Sequence, residues 1–114
     1  MNIISGTRIA TDGGLYASDM DGDNLLHSLY SVIGCDMIQV IELSDGIQAI
    51  FDEEGKLTGA ELNPRATATV EALGFRFLPG DHLPGSVVFL GLSVSGEFAS
   101  LTDEQRKTVR VASR

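Results

Sequence analysis

Apolar residues fall into short separate runs, and the spacing within each run changes along the chain. Ile3, Ile4 and Ile9 mark residues 1–10 as a strand. Asp12-Gly13-Gly14 is a turn signal, after which Leu15-Tyr16-Ala17 resumes as a short strand. Beyond Asp19, Asp21 and Asp23 the period becomes helical. Leu25, Leu26, Leu29, Val32 and Ile33 recur on one side, and His27, Ser28 and Ser31 fall largely on the other. Asp23 is the expected N-cap, and Gly34 supplies a left-handed stop.

The clearest signal follows. Residues 37–43 and 47–51 are β-forming runs separated by Ser44-Asp45-Gly46, which predicts a hairpin with an Asp-Gly turn. In the first arm Ile38, Val40 and Glu42 share one face, while Met37, Gln39, Ile41 and Leu43 share the other. Both faces are substantially apolar, which predicts a central strand. Asp52-Glu53-Glu54-Gly55 is a second turn, with Lys56-Leu57-Thr58 as a short extension. Asn63-Pro64 then opens a helix, an N-cap followed by proline at the first helical position, and Gly74 closes it. Ala66, Val70 and Leu73 form its apolar stripe. Residues 75–84 read as a Pro- and Gly-rich loop, and 85–92 as a buried strand. Ser95-Gly96 turns the chain, and Thr102-Asp103-Glu104-Gln105 is a capping box that starts a last helix. Five or so strands and two to three helices, not in strict βαβ alternation, predict one small α+β domain over residues 1–114 with a mostly antiparallel sheet.

Composition narrows the class. A chain of 114 residues buries roughly two-thirds of its unfolded surface and needs neither metal nor disulfide to fold. Trp is absent and Cys35 is the single cysteine. The longest apolar run, Val87-Val88-Phe89-Leu90, is far short of the ~20 residues that span a bilayer. The N-terminus lacks the basic and apolar segments of a secretory signal. These features together predict a reducing cytoplasm and no membrane contact. The net charge of −8 is lopsided: residues 1–54 hold ten of the sixteen carboxylates and one base, Arg8. That distribution argues against nucleic-acid binding, which rests on Lys and Arg at phosphates.

Candidate chemistry is sparse. Asp19-Met20-Asp21-Gly22-Asp23 invites a calcium reading, but an EF-hand loop needs Gly sixth and Glu twelfth, and Asn24 and Tyr30 stand there. If extended, Asp19, Asp21 and Asp23 line one side at roughly 6.6 Å intervals. That array suits a partner's cations; the plainer reading is a solvated loop ending in a cap. Asp52-Glu53-Glu54 reads as a polar turn. His27 and His82 have no metal-ligand spacing, and Cys35 follows a helix C-terminus, whose dipole raises a thiol pKa. Asp103 and Glu104 at the start of the last helix, and Arg110 and Arg114 at its end, complement its dipole. Arg65 is mildly wrong for the dipole in the first turn of its helix. It therefore predicts either a salt bridge to an acid or, with Asn63, an anion site at the helix N-terminus. No catalytic set, metal site or cofactor motif emerges.

Four stretches carry a resemblance. Residues 35–43, then Asp52-Glu53-Glu54-Gly55-Lys56-Leu57, then Asn63-Pro64-Arg65-Ala66-Thr67, then residues 85–91 are together similar to domain-of-unknown-function family 3846. The resemblance spans roughly residues 25–105. Its most specific part is the acidic turn followed by Asn-x-Arg-Ala-Thr, and the chain departs from the pattern in its Pro- and Phe-rich connection over residues 74–84. Members of that family are small proteins found largely in bacteriophages and plasmids, which implies a mobile-element origin and a host-cytoplasmic setting, and no reaction. The leading expectation is a non-enzymatic accessory protein that binds a host protein with a basic surface through Asp19, Asp21 and Asp23, blocking host defence as one outcome. The alternatives are a protein that sequesters a nucleotide-like anion at Asn63 and Arg65, and an enzyme. A free sheet edge leaves room for a homo-oligomer.

Overall fold

The computed structural model describes residues 2–114. Six strands form the sheet: β1 (Ile3–Ile9), β2 (Leu15–Asp21), β3 (Ile38–Glu42), β4 (Gln48–Asp52), β5 (Val87–Leu92) and β6 (Phe98–Ala99). Four helices accompany them: α1 (Leu25–Ile33), the single turn α2 (Gly55–Thr58), α3 (Pro64–Ala72) and α4 (Asp103–Ala112). Strand order is β2-β1-β5-β4-β3, with β6 beside β5. Every neighbouring pair is antiparallel. The chain is an α+β protein built from two hairpins, β1–β2 and β3–β4, with β5 inserted between them.

Alternation along the strands divides the core in two. Ile9, Val87, Phe89, Ala49, Phe51 and Ile41 face α3 and α4, which contribute Ala66, Val70 and Val109, with Leu73 at the C-cap of α3. On the opposite face Met20, Ile50, Val88 and Leu90 meet Leu29 of α1. Central β5 is therefore apolar on both sides, as a strand covered twice must be.

Gly6 marks a close approach within the sheet. A Cβ there would run into the Phe89 carbonyl oxygen and come within 2.6 Å of Leu90 Cδ2. On the N-terminal side of Thr7, β1 leaves β5. Ser5 N–H then donates to Ser100 Oγ at 2.9 Å, and Ser5 O accepts from Leu101 N–H at 3.0 Å.

Much of the sequence reading holds. The Asp-Gly turn places Asp45 (φ 60°) and Gly46 (φ 73°) in the left-handed region that a tight hairpin turn requires. Asn63 caps α3 and Pro64 is its first residue. The capping box of α4 is complete, with Gln105 N–H donating to Thr102 Oγ1 and Gln105 Oε1 accepting from Thr102 N–H.

Four expectations are corrected. β2 runs to Asp21 and so absorbs Asp19 and Asp21. Asp23 is not the N-cap: Asp21 Oδ1 accepts from Asp23 N–H and starts a 3-10 turn over Gly22–Asn24 that leads into α1. Residues 56–58 coil into α2 instead of extending. Lastly, β3 is an outer strand. It is apolar on both faces because the sheet carries helices on both, so even an outer strand contributes Ile41 to one core and packs Ile38 against the other.

Candidate functional site

β2 and β3, the two outer strands, hold three of the ten carboxylates of residues 1–54, namely Asp19, Asp21 and Glu42, and others lie in the segments beside them. Asp19 and Asp21 are exposed on β2, and Asp23 follows in the 3-10 turn, so the three do not form one straight row. Asp36, Glu42, Asp52, Glu53 and Glu54 lie in or beside the β3–β4 hairpin. Four strand spacings of ~4.8 Å separate the outer strands by about 19 Å. The carboxylates thus form two edges and not one continuous face. Asp19 Oδ1 accepts from Ser5 Oγ at 2.6 Å. Among the described residues the only ion pair is Lys56–Asp81, although the chain has sixteen carboxylates.

Asn63 and Arg65 have structural work. Asn63 is 0 % exposed. Its Oδ1 accepts from Ala66 N–H at 3.0 Å, and its Nδ2 donates to Ile9 O and Gly85 O, each at 2.9 Å. Thr67 continues the clasp: its Oγ1 donates to Asn63 O and accepts from Leu83 N–H at 2.8 Å. Arg65 Nε donates to Ser113 O at 2.9 Å and its Nη1 donates to Gly13 O. The guanidinium therefore ties the β1–β2 turn to the C-terminus of α4 and pairs with carbonyls, not with an acid. Asn63 is enclosed, with both its amide nitrogen and oxygen bonded to protein, while Arg65 is exposed and bonded to two carbonyls. The Asn-x-Arg-Ala-Thr stretch is a clasp that holds α3 to β1, β5 and α4.

Two of the clefts among the described residues flank the sheet. One, of about 280 Å³, lies between the β1–β2 hairpin and α4 and is lined by Ser5, Thr7, Tyr16, Asp19, Arg106 and Arg110. Arg106 Nη2 donates to Leu101 O at 3.0 Å, while its buried Nε has no partner. The other, of about 210 Å³, lies behind β3. Gln39, Ile41 and Phe51 form its sheet wall; Phe75 and Phe77 form its loop wall, and Asp52 and Glu53 stand beside them. The two phenylalanine rings meet edge to face at 4.9 Å. Sequence reasoning passed over this cleft because its walls come from three distant segments. The Phe content of residues 75–84 was its only trace.

The remaining titratable residues do not assemble. His82 Nδ1 lies 3.1 Å from Gly80 O, Asp81 pairs with Lys56, and Arg65 is held elsewhere, so these three share no cleft. The Lys56 ammonium holds Asp81 below the usual carboxylate range. Burial, then the Asp52 carboxylate, pushes the Cys35 thiol up. Asp12 is lowered by Gly14 N–H and the Tyr16 hydroxyl, and the same contact raises Tyr16. Among the described residues no three His, Cys, Asp or Glu side chains are grouped to hold a metal, and no helix is long and apolar enough to cross a membrane.

A family model described as a domain of unknown function (DUF3846) matches residues 4–112. The chain belongs to that family. The match takes in nearly all of β1 and the whole of β2 and α4, well beyond the stretches that carry the resemblance in the sequence. No curated protein and no solved structure is detectably similar to the chain. In this family member the Asn63–Thr67 stretch holds α3 to the rest of the fold.

Proposed function

We propose that this member of the family is a non-enzymatic accessory protein of a phage or plasmid. On this reading it acts in the host cytoplasm by binding a host protein with a basic surface, and interference with host defence is one consequence. One observation carries the reading: the outer strands display Asp19, Asp21 and Glu42, none of which makes an ion pair among the described residues. Unpaired surface charge of one sign steers association with the opposite sign and repels phosphate backbones. Neither a nucleic acid nor a membrane is the expected partner.

The test is affinity capture from host cells at about 50 mM and about 500 mM salt, comparing the natural chain with a D19N/D21N/D52N/E53Q variant. A basic protein should be retained at low salt and lost on either change, because salt screens exposed charges. No protein enriched over the amidated variant at either salt would count decisively against the reading.

A second reading, sequestration of a nucleotide-like anion, has support at a different place from the one the sequence suggested. Arg106 and Arg110 line the cleft beside α4, and Arg106 Nε–H is buried without an acceptor. A ligand present at 100 times its Kd stabilises the fold by about 2.7 kcal/mol. A nucleotide panel that produces no thermal shift removes this alternative.

A further inference from the structure

The free edge of β3 and the aromatic cleft behind it meet along Gln39 and Ile41. Leu43 N–H donates to Ile47 O at 2.8 Å, and Met37 O accepts from Glu53 N–H at 3.0 Å. The odd-numbered residues of this arm therefore bond to β4. Because main-chain groups alternate sides along an antiparallel strand, Ile38, Val40 and Glu42 aim their N–H and C=O groups outward. No described strand covers them.

The two outer strands differ in protection. β2 carries Asp19 and Asp21, and Asp21 N–H is occupied by Ser28 Oγ at 3.3 Å. β3 carries one charge, Glu42, and no proline, and Val40 is 39 % exposed at its middle. Natural sheets usually blunt such an edge with charge, proline or a bulge. β3 is open.

Behind it, Phe51, Phe75 and Phe77 give the cleft apolar and aromatic walls, and Glu53 in the lining carries a carboxylate that makes no ion pair among the described residues. Asp52, opposite Ile38, turns its side chain to the other face of the sheet. Lys56, the one base of the lining, is taken by Asp81. A strand laid about 4.8 Å outside β3 would place every second side chain on the cleft's face of the sheet, next to Gln39 and Ile41. A lysine or arginine there can lie with its stem on the aromatic walls and its charge by Glu53.

We propose that β3 accepts an extended segment of the partner as an added strand, and that the cleft receives a lysine or arginine side chain of that segment. This rests on the protein-binding reading above and gives it a location and a recognition mode. A second copy of the chain fits the edge less well. Pairing about Val40 would bring Glu42 of each copy toward Asp36 and Asp52 of the other, and residues 36–55 contain no Lys or Arg. A basic partner has the complementary charge.

The probe is a ten-residue synthetic peptide alternating valine with lysine, with two controls: its glutamate counterpart, and a version carrying a central proline. Titration calorimetry at about 50 mM salt should show binding of the lysine peptide, and at least tenfold weaker binding of each control. Val40→Pro removes an outward N–H without removing a β4 bond, and Phe75→Ala opens the cleft wall. Each should weaken binding at least tenfold. Val40→Lys, which leaves the backbone intact and adds a repelling charge, serves if the proline variant fails to fold. Equal affinity for all three peptides, or indifference to Val40→Lys and Phe75→Ala, overturns the proposal. So does a stable dimer in sedimentation that Val40→Lys dissociates. Cellular capture that survives these variants but is lost on D19N/D21N keeps the protein-binding reading and sinks this placement; no specific capture at all removes both.

Discussion

Asn63 offers the most searching test of how the fold is held. Replacing it with alanine deletes the cap on Ala66 N–H, worth about 1 kcal/mol. It also leaves the carbonyls of Ile9 and Gly85 without their amide donor in the interior, at about 1 kcal/mol or more each. The expected loss is about 3–4 kcal/mol, a large share of the 5–15 kcal/mol typical of a domain. Asn63→Asp keeps the shape but turns a carboxylate oxygen toward two carbonyl oxygens where an amide donated. That carboxyl is destabilised when ionised, so its folded pKa lies above its unfolded value. Protons then favour the folded form, and stability recovers as pH falls, being fully restored below the unfolded pKa and lost as pH rises through the folded one. Urea unfolding at pH 7 and at pH 4.5 would separate the two variants. The aspartate form should gain on the alanine form at the lower pH. A loss below about 1 kcal/mol for Asn63→Ala, or identical pH dependence of both variants, would refute the clasp.

Three further outcomes are expected. Gly6→Ala should cost about 1–3 kcal/mol in urea unfolding, because its methyl meets the Phe89 carbonyl and Leu90 inside the sheet; an unchanged midpoint would mean β1 and β5 do not approach this closely. Arg65→Ala should lower stability by about 1–2 kcal/mol and increase amide exchange near residues 13 and 113, whose carbonyls it holds; a change confined to α3 would contradict the tie. Cys35 should react with iodoacetamide with a pH midpoint above that of a free thiol, since burial and the Asp52 carboxylate disfavour the thiolate. A midpoint below the free thiol would reverse that account.

Local chemistry made several elements legible before any coordinates. Asn63-Pro64 and Thr102–Gln105 announce helix starts because the capping bonds close within three or four residues. Asp45-Gly46 announces a hairpin because few residues tolerate two successive positive φ angles. The clasp at Asn63 was only half visible. Its cap to Ala66 is local, but the bonds to Ile9 and Gly85 span 54 and 22 residues and depend on β5 entering beside β1. An arginine out of place for the helix dipole correctly signalled another job for Arg65, and the acceptors proved to be distant carbonyls.

The sequence by itself determined most of the strands and helices, where most of them turn, and that negative charge accumulates before residue 55. Those are properties of neighbours along the chain. Tertiary structure alone decided that β5 fills the centre, that β2 and β3 are left outside, and that the acidic half is therefore split between two edges about 19 Å apart. Strand order is set by which faces bury together, an interaction between segments tens of residues apart that no local spacing encodes.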